Sequence, residues 1–407
     1  MAHQHYDLII AGDAPGARID GILLGRRGLR VLHLHGRGQP KYLLGYNSHM
    51  LDALLDQLQA RNCLTTAVPV QLHIGTTCIE IHGSTPWQDE IRREHPQSYS
   101  RIIALLDQLQ QWGSTLQHAL IEIGGSPALN LRRRTRWALA CRSKGLPGSL
   151  LRQPFADWCS RQTLDAEGRH LCESLLASIC LIPAADLSLA EAALAWAQVL
   201  GRQSVAGAVL DKLLDQRLID AGATRRPLEQ LTDLRPLRSG VVQCRLGSET
   251  VSCDQLLLAA RPTTPVPGWP EALAGPALWE LGTPSPEPSK LLAPRLLLHS
   301  PAGAFQLALG RNRNQPEIYL RCPSNLDPEE QLSTELHALF PSARLTFKRL
   351  QSGGTAPAAG GACGERGSIR PGKGLYQACA EQLYPALGLL GEALVALTLT
   401  GMKRKGP

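Results

Sequence analysis

YDLIIAGDAPGARIDGILLGRRGLRVLHLH, residues 6–35, decides how the rest of the chain is read. Residues 7–11 (DLIIA) are an apolar run bounded by Gly12, the pattern of a strand buried in a parallel sheet. From Ala17 to Arg27 the pattern is helical, with Ile19, Ile22 and Leu23 on one face and Arg26 and Arg27 off it. Gly28 follows at a C-terminal cap position. LRVLHLH (29–35) returns to strand. Strand, glycine turn, helix and strand in this order predict a right-handed β-α-β unit with parallel strands.

The turn itself departs from the rule for holding a dinucleotide. There the first glycine permits a tight bend, the second lets backbone approach the pyrophosphate, and the third lets the helix pack against the strand. The helix N-terminus then faces the phosphates. In Gly12-Asp13-Ala14-Pro15-Gly16-Ala17, Gly12 holds the first place, Ala14 the second and Ala17 the third. Ala is an accepted third residue. At the second place a methyl group points where phosphate should come, and Asp13 adds negative charge beside it. The acid that bonds the ribose hydroxyls at the end of the second strand is replaced by His35.

The chain has 407 residues, 43% hydrophobic and 19% charged, with a formal net charge of +7. This is a globular composition, long enough for two domains and mildly basic. Eleven scattered cysteines without a C-x-x-C pair, and no signal-peptide pattern, lead to an expectation of buried free thiols in a reducing cytoplasm. The most apolar stretch, 383–401, holds Pro385, three glycines and Glu392, so it reads as a core helix rather than a membrane span.

Residues 49–202 carry helical spacing, interrupted by an expected hairpin around Gly75-Thr76-Thr77. Ser188 is placed to cap a helix over 187–201. A helix over 206–223 precedes short strands near 227–232, 240–245 and 255–260. The proline-rich 262–290 is expected to be loops around one short helix, 295–322 antiparallel strands, and 352–368 a linker. The tail from Met402 is expected to be solvated.

Three stretches together resemble the FAD-dependent amine oxidase and phytoene desaturase-like superfamily. The first is residues 6–38, close to that family's opening YDVVVIGGGPAGLAAAxxLxxxGxxVxVLExRxR, with Arg37 matching a basic residue after the ribose acid. The second is QSVAGAVLDKLLDQRLIDAGATRRPLEQL with the later DQLLLAARP, which places Leu231 where the family has a valine near the adenine. The third, GLYQACAEQLYPALGLLGEALVAL (374–397), is similar to the closing LYLAGDxxxPxLGxxGAxxSG. Glu381 matches the acid that contacts pyrophosphate or ribityl hydroxyls, with Ala380 for the glycine before it. Pro385, Gly388, Leu389 and Gly391 match the segment that faces the flavin.

The resemblance implies an α/β protein in which a Rossmann-like FAD-binding domain (1–48, 203–262 and 366–402) carries an inserted α+β substrate domain (49–202 and 263–365). It implies FAD held by Gly12, Ala14, Pro15, Gly16, Ala17, His35, Arg37, Leu231, Ala380, Glu381, Pro385, Gly388, Leu389 and Gly391. Departures at Ala14, His35 and Ala380 all fall at nucleotide contacts, so the expectation is FAD, with weakened or lost binding as the alternative.

Other constellations carry less. His33 and His35 share a strand face, but two ligands are too few for a metal. His35, Arg37 and Lys41 would suit the 2′-phosphate of NADP, an alternative that the C-terminal segment opposes. Cys379 reads as a small buried residue. No G-x-S-x-G hydrolase signature is present. LRRRTRWALACRSKGLPGSLLR (131–152) has seven basic residues and no acid. It reads as a solvated face or a surface for an anionic partner, including peripheral membrane contact; nucleic acid is disfavoured because aromatic interleaving is absent.

Two functions remain open. One is an FAD-dependent oxidoreductase taking hydride from an apolar or amine small molecule, with no residue assigned as acid or base. The other is a non-catalytic descendant that has lost FAD and binds a partner or ligand.

Overall fold

The structure, a computed structural model, describes residues 4–36, 42–146, 148–260, 266–270, 276–282, 292–312, 315–323, 325–340, 345–351, 363 and 365–402. The chain is a mixed α/β protein built on two large sheets. The opening run forms a strand, Gln4–Ala11, followed by a helix, Pro15–Gly25, and a second strand, Val31–His35, parallel to the first. Side chains alternate across the first strand. Leu8 and Ile10 share an apolar cluster with Ile19 and Ile22 of the helix, while Ile9 and Ala11 share another with Leu231, Leu234 and Val242. Cover on both faces is why this run is apolar without interruption.

The first sheet draws on distant parts of the chain. Its parallel strands are Thr224–Pro227, Val31–His35, Gln4–Ala11 and Glu249–Leu258. The long strand Glu249–Leu258 uses its first half to pair antiparallel with Val242–Leu246 and its second half to pair parallel with Leu375–Gln377. Helices Gly207–Asp220 and Gly388–Met402 pack beside the opening helix. That helix is tied down by Arg18, which is fully buried and lies 2.7 Å from Asp211 and 3.3 Å from Asp215.

The second sheet runs Thr346–Gln351, Ala277–Gly282, Gln315–Cys322, Gly303–Asn312, Arg295–Ser300, Val70–Ile74 and Thr77–Ile81. All pairs are antiparallel except Val70–Ile74 with Arg295–Ser300. The expected hairpin forms, with Gly75 at φ 56°. Helix Ala166–Cys180 packs on this sheet.

Three expectations are corrected. Ala277–Gly282 lies in the proline-rich segment yet is a strand: Leu278 and Leu281 are buried, and only the flanks carry the prolines. The strand expected near 227–232 is two, Thr224–Pro227 and Leu231–Pro236, separated by a turn at Leu228–Gln230. Glu365 and Arg366, read as linker, are buried; the Ser126 hydroxyl donates to Glu365, and Arg366 pairs with Glu191 at 3.3 Å. Residues 352–362, the stretches 261–265, 271–275 and 283–291 in and beside the segment expected to hold one short helix, and the tail 403–407 lie outside the described residues.

All eleven cysteines are free, and ten are buried. Among the described residues no helix is long and apolar enough to cross a membrane. Ser188 caps helix Leu189–Val199 through a reciprocal pair with Glu191. That helix lies against Tyr99–Ile123, and Trp196 Nε1 donates to Leu106 O at 2.9 Å. The two backbones approach at Gly113, where a Cβ would stand 2.0 Å from Ala193 O. Gly113→Ala is therefore expected to destabilise the chain by about 1–3 kcal/mol through overpacking. The check is the urea midpoint of unfolding, and an unchanged midpoint contradicts this packing.

Candidate functional site

The site starts at the glycine turn. Gly12 has φ 117°, and a Cβ there would meet Ala260 Cβ at 2.3 Å and Ala259 C at 2.6 Å. Only glycine allows this backbone to lie so close to the end of strand Glu249–Leu258. Neighbouring strands use the turn's amides: Gly12 N–H donates to Leu34 O at 2.9 Å, and Ala14 N–H to Ala259 O at 3.1 Å. Ala14 precedes the helix and Pro15 begins it, so the missing proline N–H costs the helix nothing.

The next amide, Gly16 N–H, points along the helix axis, where phosphate would be expected. It donates instead to Glu392 Oε2 at 2.7 Å. Glu392 lies on the closing helix Gly388–Met402 and is 1% exposed. Its other oxygen accepts Tyr42 Oη–H at 2.5 Å and Ala380 N–H at 3.0 Å. One carboxyl group thus satisfies both the opening helix and the segment before the closing one. The approach is close: a Cβ on Gly16 would stand 2.5 Å from Glu392 O. Every residue from Ala11 to Asp20 is buried, including Ala14 and Ala17.

Asp13 is tied down in the same way. Its Oδ2 accepts Gly36 N–H at 2.8 Å. His33 Nε2 lies 3.1 Å from Asp13 Oδ1 and 3.1 Å from Gly12 O, which fixes it as a donor. His33 is fully buried and Asp13 5% exposed, so this carboxylate spans the ends of the first two strands. His35 ends the second strand, half-buried, with its ring 6.2 Å from that of His33. Arg37 and Lys41 lie outside the described residues.

The third segment converges on the same point. The Ala380 methyl packs on Gly391, where a Cβ would stand 3.0 Å away. Glu381 pairs with Arg321 of the second sheet; both are buried, and the guanidinium carbon lies 5.6 Å from the Tyr42 ring centre. Pro385 and Gly388 line a cavity of ≈ 30 Å³ together with Tyr42, Gln198, Gln306 and Arg321. That is room for about one or two waters. Leu389 is buried beside it. Leu231 stands apart, in the apolar layer that holds Ala11 and Leu34.

The structure therefore brings Gly16, Ala380 and Tyr42 onto one carboxyl group, that of Glu392, with Glu381 nearby and Ala380 packed on Gly391, while Gly12 lies against Ala259 and Ala260. Sequence reasoning missed Glu392 and Tyr42 as members. The available signal was an acid inside an apolar helix, directly after Gly391, where the closing pattern has alanine.

No protein-family model matches the sequence, and no curated protein does. Among solved structures, cyclohexylamine oxidase from Brevibacterium oxydans matches with a TM-score of 0.62 at 12% identity, covering 98% of each chain. Putrescine oxidase bound to putrescine matches at 0.60 with 13% identity, covering 98% of this chain and 99% of that one. The chain has the fold of the amine oxidases. A Rab GDI from Plasmodium falciparum also matches over 100% of both chains, with a TM-score of 0.54 at 9% identity.

Electrostatics single out Glu392 in this chain. Burial pushes its carboxyl up to about 7, against the restraint of hydrogen bonds from Tyr42, Gly16 and Ala380. Burial and the nearby Glu392 and Glu381 carboxyls also push the Tyr42 hydroxyl well above its usual range. An ordinary glutamate titrates near 4.5. Because the folded value is higher, the unfolded chain loses its proton first as pH rises, so stability falls between the two values and stays lower above 7. The difference amounts to roughly 3 kcal/mol. Glu392→Gln removes this titration, so the variant gains roughly 3 kcal/mol on the wild type between about pH 4 and about pH 8. Urea unfolding across that range checks it, and parallel pH profiles contradict it.

Proposed function

We propose that this chain is a non-catalytic binding protein that keeps the amine-oxidase fold and closes the dinucleotide cradle with its own side chains. The observation that carries this reading is the Glu392 carboxyl on Gly16 N–H at 2.7 Å. A flavin dinucleotide requires that helix end for its pyrophosphate. A phosphate there would have to displace this carboxyl group, and above about pH 7, where the carboxyl is ionised, it would face a second buried anion with no cation between them among the described residues, which is costly. Asp13, held by Gly36 and His33, adds a second carboxylate on the path to the adenine ribose. Ala14, fully buried, puts a methyl group where backbone must meet phosphate. These residues do not fit FAD.

The neighbours of this fold include a protein named as a Rab GDI as well as named oxidases. The cytoplasmic setting and the division into a discontinuous Rossmann-like domain with an inserted domain are part of the same proposal.

A second reading, an FAD-dependent oxidoreductase for an apolar or amine substrate, draws support from the order of the three segments and from the named oxidases of like fold. It requires Glu392 and Asp13 to leave their present partners. Purified protein separates the two. The proposal expects a colourless preparation whose melting temperature does not rise with millimolar-range FAD, whereas a ligand at 100 times its Kd would add about 2.7 kcal/mol. A yellow preparation that releases stoichiometric FAD on denaturation overturns it.

A further inference from the structure

Helix Leu131–Ser143 uses little of itself to fold. Asn130 caps it, accepting Arg133 N–H at 3.0 Å. Only Arg133, Trp137, Ala140 and Cys141 are buried, a single narrow stripe at helical spacing. On the remaining surface Leu131 is 78% exposed and Leu139 62% exposed. Two exposed leucines on one short helix are not needed by the core. At about 3.6 residues per turn they flank Thr135 and Arg142, opposite the buried stripe.

The charge around them has one sign. Arg132, Arg134, Arg136 and Arg142 are all exposed, and the helix carries no acid. Glu122, exposed near the end of helix Tyr99–Ile123, lies 3.7 Å from Lys144, which follows the helix. Arg136 is also anchored, donating to Glu122 O at 3.1 Å.

We propose that this face docks on an anionic phospholipid surface, with Leu131 and Leu139 entering the headgroup boundary and Arg132, Arg134 and Arg142 meeting the lipid phosphates. An amphipathic helix with arginines around exposed leucines lies in the plane of such an interface. Basic side chains are drawn to an anionic leaflet and exposed leucines gain apolar burial there, so the attachment is weak, reversible and salt-dependent. Single-stranded nucleic acid is the poorer partner, because the face exposes no aromatic ring for bases to stack on. The proposal names a partner for the reading above but stands on residues of its own. A chain that held FAD would still dock, and one that failed to dock would keep Glu392 on Gly16.

Co-sedimentation of the full chain with vesicles tests it. Vesicles with phosphatidylglycerol in phosphatidylcholine are expected to carry the protein down at about 0.1 M salt, and pure phosphatidylcholine not. The triple variant R132E/R134E/R142E should bind at least tenfold more weakly. L131S/L139S should lose several-fold while keeping its salt dependence. All five positions are exposed, and unchanged melting temperatures verify that both variants fold. Equal sedimentation with neutral and anionic vesicles, variants that bind like the wild type, or tighter binding to single-stranded RNA than to anionic vesicles would each overturn the proposal.

Discussion

A helix that starts beneath a buried turn must find an acceptor for its first amides, because neither water nor the preceding residue supplies one. Here the acceptor is Glu392, 376 residues further along the chain from Gly16. The same carboxyl group takes Ala380 N–H and Tyr42 Oη–H, so one side chain joins the opening helix, the closing helix and the segment after the second strand. The small residues around it follow from this. Gly16 has no room for a Cβ beside Glu392, and Gly391 has none beside Ala380. The features that would let backbone approach a pyrophosphate instead let backbone approach a carboxyl group.

Other buried charges do similar work at long range. Arg18 joins the opening helix to Asp211 and Asp215, Arg366 reaches Glu191, and Arg321 reaches Glu381 across the two sheets. Such pairs add little net stability over apolar packing, but losing one partner leaves a buried charge exposed to the core. Burial raises the Asp211 and Glu191 carboxyls above their usual range, with the arginines opposing the rise. Each pair thus fixes how distant segments meet. The Arg321–Glu381 pair bears directly on the site, because Glu381 is the acid that the family pattern aims at the cofactor, and here it faces a protein cation.

The framework was legible because its signals are local. A four-residue apolar run, Leu8 to Ala11, with Gly12 and a helical repeat specifies the β-α-β unit, and Ser188 with Glu191 specifies a helix start. Convergence of the three segments was legible only through resemblance, and strands Gln4–Ala11, Glu249–Leu258 and Leu375–Gln377 do lie in one sheet. What filled the turn was not legible. Asp13 read as a repulsive charge, but its partners Gly36 and His33 become neighbours only when the sheet forms. Glu392 read as a reason against a membrane span; nothing in its own helix reveals that Gly16 needs an acceptor. Ala277–Gly282 was hidden for a different reason, since prolines on either side masked a strand whose own residues are suited to burial.

A crystal structure grown in excess FAD would read the central claim at one atom, the nitrogen of Gly16. The account predicts the Glu392 carboxyl there, near 2.7 Å, with no flavin beside it. A phosphate oxygen on that nitrogen, with Glu392 turned away, would contradict it.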